Sequence, residues 1–201
     1  PPLPSHALLE PWKRRSGHSL TLRGYHDAGG VRGAIAQTAE SVYQQFTPEE
    51  QAMVRDIFLR LTELGEATED TRRRASFDEL IPQNQSAAPV HAILSHLADA
   101  RLITLNQDSA EVAHEALIRE WPQLREWLNQ DREGLRLHRQ ITEAAQEWDA
   151  LEHDAGALYR GARLIQARDF AEKNPFALNA HERAFLEASE ENARREAQER
   201  E

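Results

Sequence analysis

Apolar residues recur every three or four positions through most of the chain, and this spacing predicts helices. The clearest helix start is Thr47-Pro48-Glu49-Glu50. Here a threonine cap is followed by proline at the first helical position and by glutamate three residues after the cap. Asn179 and Glu182 have the same capping-box spacing before the last apolar stripe. We therefore expect helices to begin directly after Thr47 and Asn179.

The helical pattern is interrupted between residues 47 and 114. Residues 71–75 favour a short extended segment. Residues 102–105 and 110–114 flank a polar turn, which is typical of a β-hairpin. The resulting order of helix, short strand, helix, helix and hairpin is that of a winged helix-turn-helix. The predicted fold class is therefore mainly α, with a winged helix-turn-helix and a small β-hairpin flanked by helical segments.

This pattern predicts three domains. They are a helical segment over residues 1–46, a winged-helix domain over residues 47–121, and a helical domain with an exit helix over residues 122–201. In the third domain one apolar stripe runs from Leu124 to Trp148, and a bend is expected near Gly134. From Glu190 onward charge surrounds the helix, which predicts a connector without a core face.

Composition narrows the choice of function. The chain has no cysteine, which excludes disulfides, thiolate zinc sites and cysteine nucleophiles and favours a reducing, cytoplasmic setting. Its 24 Lys and Arg against 34 Asp and Glu give a formal net charge of -10, which repels nucleic-acid phosphates. The longest uncharged stretch, residues 80–98, contains prolines, an asparagine and histidines, so it is no membrane span. We therefore expect neither nucleic acid nor membrane as a partner.

The motifs of catalysis are incomplete. Gly24 and Gly29 have the spacing of a Walker phosphate loop, but Gly30-Val31 stand where lysine and a hydroxyl residue are needed. The His-Glu pairs that begin at positions 114 and 181 resemble the start of a zinc-protease helix, yet no second histidine follows at the required position. The segment is therefore expected to be no enzyme by itself and to hold no metal.

Winged helices commonly bind DNA, so the charge of the candidate recognition helix matters. Residues 89–101 contain a single arginine, which is too little cation for the phosphate contacts that dominate affinity. The basic run Arg72-Arg73-Arg74 follows Glu69-Asp70. Two roles fit this run equally well. It can be a solvated strand with local ion pairs, or it can contact an anion or a protein partner. A DNA-binding regulator and a helical scaffold for protein partners remain as alternatives.

His114 lies where the hairpin leads into the next helix. A histidine at such a junction can donate a hydrogen bond to a phosphate from an adjoining domain. A structural role, as a helix cap or a buried hydrogen-bond partner, also suits the position. The tryptophans at 121, 127 and 148 fall on apolar stripes and are expected to pack in the core.

Several stretches together resemble the C-terminal part of the bacterial novel STAND NTPase module over nearly the whole chain. They are Pro2-Leu3 with residues 5–10, residues 22–33 ending in Gly29-Gly30-Val31-Arg32-Gly33, residues 69–73, residues 112–122 around Val112-Ala113-His114-Glu115, and residues 158–164. In this class of signal-transduction ATPases an upstream P-loop domain binds ATP or ADP. A winged helix closes over the nucleotide in the resting state, and a WD-repeat β-propeller often follows.

The resemblance implies two nucleotide-binding residues. Pro2 looks like the proline of a motif near the adenine, and His114 looks like the histidine that senses the phosphate, with Ala113 and Glu115 in place of the usual Met and Asp. The implied cofactor is ATP or ADP, held by the upstream domain and not by this segment alone. The implied partners are that P-loop domain, a downstream repeat domain and, on activation, further copies of the protein. The implied function is regulatory coupling of the nucleotide state to downstream sensor or effector domains.

Overall fold

The computed structural model describes residues 30–65, 68–82, 86–174 and 177–199. Most of these residues are helical, and the strands form two small antiparallel sheets. The prediction of a mainly α protein with a small β-hairpin is therefore confirmed. No helix in the described ranges is both long enough and apolar enough to cross a membrane.

The helices and strands are numbered in chain order. They are α1 (Gly30–Tyr43), α2 (Pro48–Arg60), β1 (Thr62–Glu63), β2 (Thr71–Arg72), β3 (Arg74–Ser76), α3 (Phe77–Leu80), α4 (Ala87–Asp99), β4 (Ile103–Leu105), β5 (Ser109–Val112), α5 (Glu115–Glu120), α6 (Pro122–Gln130), α7 (Arg132–Ala150), a 3₁₀ turn (Ala155–Ala157), α8 (Gly161–Lys173) and α9 (Ala180–Gln198).

The chain divides into two compact units. Unit 1 takes in the chain up to residue 76 together with residues 88–130, and unit 2 takes in residues 77–87 and the chain from residue 131. Unit 2 is therefore discontinuous in sequence. The division into residues 1–46, 47–121 and 122–201 stays a prediction.

In unit 1, α2 begins at the predicted capping box. The Thr47 amide donates to Glu50 Oε2 at 2.9 Å, and the Glu50 amide donates to Thr47 Oγ1 at 3.3 Å. These two bonds satisfy amides that a helix start otherwise leaves without partners. The inner face of α2 buries Val54, Ile57 and Phe58.

The extended segment predicted at residues 71–75 is two short strands that join different sheets. β2 pairs with β1, whereas β3 lies on β5 in a three-stranded sheet of order β3-β5-β4. The predicted hairpin is confirmed, with Ile103 opposite Val112 and Leu105 opposite Ala110. The Asn106 amide closes its turn by donating to the Ser109 carbonyl at 2.8 Å.

Aromatic side chains fill the centre of unit 1. Trp121 is fully buried and meets Phe58 and Trp127 edge to face, with ring centroids 5.2 Å and 5.3 Å away. Its indole N–H donates to Glu40 Oε2 at 2.9 Å, so the polar end of the ring is also satisfied. The prediction that Trp121 and Trp127 pack in the core is confirmed.

The core of unit 2 lies among α7, α8 and α9 and includes Ile141, Phe170 and Phe185. Trp148 packs against this core, as predicted, and its ring is 5.9 Å from that of Phe185. α8 begins at Gly161, and the buried Leu158 before it has an extended backbone.

The apolar stripe from Leu124 to Trp148 is not one helix bent near Gly134. It is broken at Asp131 into α6 and α7, which belong to different units. Asp131 is the N-cap of α7, and its Oδ1 accepts from the Gly134 amide at 2.8 Å. An aspartate that can cap a new helix in this way favours a break over a gentle bend.

α9 stays packed beyond Glu190, which corrects the expectation of a helix without a core face there. Asn192 is buried, and its Nδ2 donates to Glu196 Oε1 at 2.9 Å. Arg160 Nε lies 3.0 Å from the same carboxylate oxygen. This face is built from polar groups that bond to each other, so a search for apolar periodicity does not detect it.

Candidate functional site

His114 is held at the junction between the three-stranded sheet and α5. It follows the buried end of β5 and has an extended backbone, with φ −143° and ψ 129°. α5 is anchored on α1 and buries Leu117 and Ile118. Rigid elements on both sides therefore fix the position from which the half-buried imidazole projects.

The His114 side chain makes no hydrogen bond that caps α5, although His114 is the N-cap residue of that helix. Capping was one of the two structural roles that suited this position. His114 takes part in another interaction within the protein and is one of the residues that line a pocket in unit 1.

This pocket, which we name the His114 pocket, is formed by α1, the end of α4 and the start of α5. The space inside and in front of it, open solvent included, is about 290 Å³, and its described lining is Ile35, Thr38, Ala100, Arg101, Leu102, His114 and Leu117. Four of these seven residues are aliphatic, and none of the seven is acidic.

Two of the lining residues can donate hydrogen bonds to an anion. The Thr38 hydroxyl donates to the Ala34 carbonyl of its own helix at 2.9 Å, so its proton is already engaged. Arg101 carries a guanidinium and His114 an imidazole. The lining is therefore mostly apolar, and Arg101 and His114 are the two ionisable residues among the seven.

Arg101 also lines this pocket, and no sequence pattern singles it out. It has a left-handed backbone, with φ 59°, at the turn that ends α4. Its amide donates to the Ala98 carbonyl at 2.8 Å, and the Leu102 amide donates to the Leu97 carbonyl at 2.9 Å. This is the Schellman pattern, in which glycine normally takes the left-handed position. No glycine or asparagine marks the turn, so the sequence showed Arg101 only as a charge.

The other sequence candidates do not line the pocket. Pro2 lies outside the described residues. In the basic run, Arg73 Nη1 donates to the Arg60 carbonyl at 3.1 Å, and Arg74 pairs with Glu111 at 3.5 Å. Arg72 is exposed on its short strand. Two of the three arginines thus hold neighbouring strands and helix ends together.

α4 occupies the place of the candidate recognition helix. It begins two residues before Pro89, because proline is tolerated in the first turn of a helix. Between Ala87 and Asp99 it has no lysine or arginine, and its exposed positions are mostly alanine, serine and histidine. Phosphate contacts of the kind that dominate DNA affinity need cations there.

Unit 2 has a buried polar cluster that the sequence predicted only in part. Glu182 is 1% exposed and accepts from the Asn179 amide at 2.8 Å, which completes the predicted capping box. The same carboxylate accepts from Thr142 Oγ1 at 2.6 Å and lies 3.3 Å from His138 Nε2. These two contacts come from α7, 40 or more residues away in sequence, and no local pattern indicates them.

A second buried carboxylate of unit 2, Glu79, lies 3.8 Å from Arg139 Nη1 and accepts from Gln146 Nε2 at 3.4 Å. No group of three His, Asp or Glu side chains in the described part of the chain is arranged to hold a metal ion. The unit 2 carboxylates are satisfied by protein donors.

A family model described as Novel STAND NTPase 1 matches residues 2–156. The match includes both Pro2 and His114 and ends within the 3₁₀ turn of unit 2. No curated protein and no solved structure matches the chain.

Proposed function

The chain belongs to the novel STAND NTPase 1 family, and from this premise we propose that it is the regulatory arm of a signal-transduction ATPase. In this proposal residues 47–121 form a winged helix that closes over ATP or ADP bound to a P-loop domain of the same cytoplasmic protein. Residues 122–201 carry the change to downstream sensor or effector domains, such as a WD-repeat propeller, and activation assembles several copies.

The element order supports a winged helix. α2, α3 and α4 are followed by the β4–β5 hairpin, and β3 adds a third strand to that hairpin. The polar exposed face of α4 lacks the cations of a DNA reader. In this proposal the hairpin is a rigid support for His114, because its second strand, β5, ends just before that residue.

The observation that carries the proposal is that His114, held between the end of β5 and the start of α5, lines a pocket whose described lining contains no acidic residue. In this proposal the imidazole donates a hydrogen bond to a nucleotide phosphate only in the closed arrangement. The closed arrangement therefore binds the nucleotide more tightly than the open one. Any ligand-driven switch requires such a difference. A charge-assisted bond contributes about 1.5–3 kcal/mol, which corresponds to roughly a tenfold to hundredfold bias.

The test is His114→Ala in the full-length protein. We expect ADP to dissociate about tenfold to hundredfold faster and the active state to be more populated. His114 is half-buried, so urea denaturation of the same variant is needed to separate faster ADP release from a loss of stability. ADP release is measured by stopped-flow displacement of a fluorescent ADP analogue.

His91→Ala is the matched control, because His91 is an exposed histidine of α4 and does not line the pocket. It should leave ADP release at the unmodified rate. If His114→Ala also releases ADP at the unmodified rate and signals normally, the proposed coupling through His114 is wrong.

A further inference from the structure

The last helix of unit 2, α9, is held by different kinds of contact along its length. Its first half buries apolar side chains such as Phe185 in the core of the unit. In the rest of the helix the buried residues are Ser189 and Asn192, and both are polar. Ala193 is half-buried and has little apolar area to contribute. We define residues 190–198 as the distal segment of α9, and its docking depends mainly on polar contacts.

A short stretch between the 3₁₀ turn and α8, residues 158–160, contacts α9 at two points. The Tyr159 amide donates to Ser189 Oγ at 3.2 Å. About two helical turns further along α9, Glu196 Oε1 accepts from Arg160 Nε at 3.0 Å. Because the two points are a near-integral number of turns apart, they lie on the same face of α9.

These two contacts differ in their exposure to solvent. The Tyr159 ring meets the buried Phe185 edge to face, with ring centroids 4.9 Å apart, so the first contact adjoins the core. At the second contact the side chains of Arg160 and Glu196 are 44% and 34% exposed. An ion pair with this exposure is weakened by dissolved salt, whereas apolar burial is not.

The two charged side chains are each positioned by a neighbour. Arg160 Nη2 donates to the Ala155 carbonyl of the 3₁₀ turn at 3.0 Å. Glu196 accepts from Asn192 Nδ2 at 2.9 Å, within its own helix. The guanidinium is thus fixed to the turn and the carboxylate to α9, so the pair joins two groups that are already oriented. Less side-chain freedom is lost in such a pair than between two unrestrained side chains.

We infer that the distal segment of α9 is a salt-sensitive latch, docked on unit 2 by the Arg160–Glu196 ion pair. A helical segment this short is marginal in water without packing, so its order depends on docking. Higher ionic strength screens the pair and releases the distal segment, while the core around Phe185 stays packed. The latch does not depend on the proposed function, because it involves neither His114 nor a nucleotide.

Hydrogen exchange in the full-length protein at low and high salt tests the latch. From about 50 mM to about 500 mM NaCl, amide exchange over residues 190–198 should accelerate by about two- to fivefold. Exchange over residues 183–189 should stay the same, because apolar burial holds that part of α9. The two ranges belong to one helix, so each protein provides its own internal reference.

Substitutions of the ion pair should reproduce the effect of salt. Arg160→Gln should accelerate exchange over residues 190–198 by about two- to fivefold at low salt and remove most of its salt dependence. Glu196→Gln should do the same, and the double variant should be no faster than either single variant. Arg168→Gln is the matched control, because Arg168 pairs with Glu172 of its own helix at 3.7 Å. It should leave exchange over residues 190–198 unchanged.

Four results would overturn the inference. Exchange over residues 190–198 that does not respond to salt, or does not respond to Arg160→Gln, means that the ion pair does not hold the segment. Equal acceleration over residues 183–189 indicates that the whole helix loosens. The same acceleration in Arg168→Gln indicates a general effect of losing an arginine. The rate of ADP release tests the proposed function separately, so either proposal can fail without the other.

Discussion

In unit 1, His114 stands with Arg101 at the rim of a pocket open to solvent, among aliphatic side chains. In unit 2, His138 lies 3.3 Å from Glu182, a carboxylate that is itself buried and bonded to Thr142 and Asn179. The same residue type therefore occurs once beside an accessible space and once within a closed network.

The comparison sets a closed structural network beside a pocket that keeps open space. A buried carboxylate with several donors is already stabilised within the fold, and removing a donor leaves a costly unsatisfied charge. Under the proposed function, the His114 pocket is where a partner from another domain binds. Substitutions in unit 2 should thus change stability, whereas substitutions at the His114 pocket should change binding.

The largest expected loss of stability follows from a substitution at Glu182. Glu182→Ala removes the acceptor of the Asn179 amide in the capping box of α9 and one of the two acceptors of the Thr142 hydroxyl. We expect the free energy of unfolding to fall by about 2–4 kcal/mol. Urea denaturation followed by circular dichroism measures this change.

Glu187→Ala is the matched control, because Glu187 is an exposed residue of the same helix. It should change the free energy of unfolding by less than about 0.5 kcal/mol. Equal effects of the two variants would contradict a stabilising cluster.

A smaller effect on stability is expected from the same substitution, threonine to valine, made once in each unit. Thr142→Val removes a hydroxyl that bonds its own helix carbonyl at His138, at 3.1 Å, and also donates to the buried Glu182 carboxylate at 2.6 Å. We expect it to cost about 1 kcal/mol, because of the bond to Glu182. Thr38→Val removes a hydroxyl that donates to its own helix carbonyl at 2.9 Å, so it should cost close to nothing. The difference between the two free energies of unfolding is the quantity to measure. If Thr38→Val costs more, the contrast between the units is wrong.

The smallest expected effect concerns alkaline pH. Burial raises the pKa of Tyr159 above its usual value of 10.0, Glu143 and Glu147 raise it further, and Arg163 opposes them. Because the folded pKa is the higher one, the stability it contributes is present below pH about 10 and is lost as pH rises through the folded pKa. Absorbance titration of tyrosinate should show a late component that disappears in Tyr159→Phe. A titration that keeps this component in Tyr159→Phe would exclude Tyr159 as its source.

The sequence predicted the features that depend on neighbouring residues. The capping boxes at Thr47 and Asn179 and the hairpin at residues 103–112 have their signals within a few positions of one another, and all three formed as expected. The packing of the tryptophans was also predictable, since large aromatic side chains on an apolar stripe are seldom left in solvent.

The rest depends on contacts that a single stretch of sequence does not contain. The left-handed turn at Arg101 is closed by two local backbone bonds, but its residue type lacks the usual glycine or asparagine signal. The contacts of Glu182 with Thr142 and His138 need α7 and α9 side by side. The helix breaks at Asp131 although the apolar stripe continues past this residue, so the apolar pattern alone predicts one continuous helix.

The discontinuity of unit 2 limits how the protein can be dissected. Residues 77–87 belong with the chain from residue 131, so a truncation after residue 130 would leave Glu79 in the shortened product without Arg139 and Gln146. That product would expose a carboxylate and Leu80, which the intact chain buries. A variant that lacks the C-terminal helices could therefore lose signalling for either of two reasons. The remaining chain misfolds, or the segment that transmits the signal is missing.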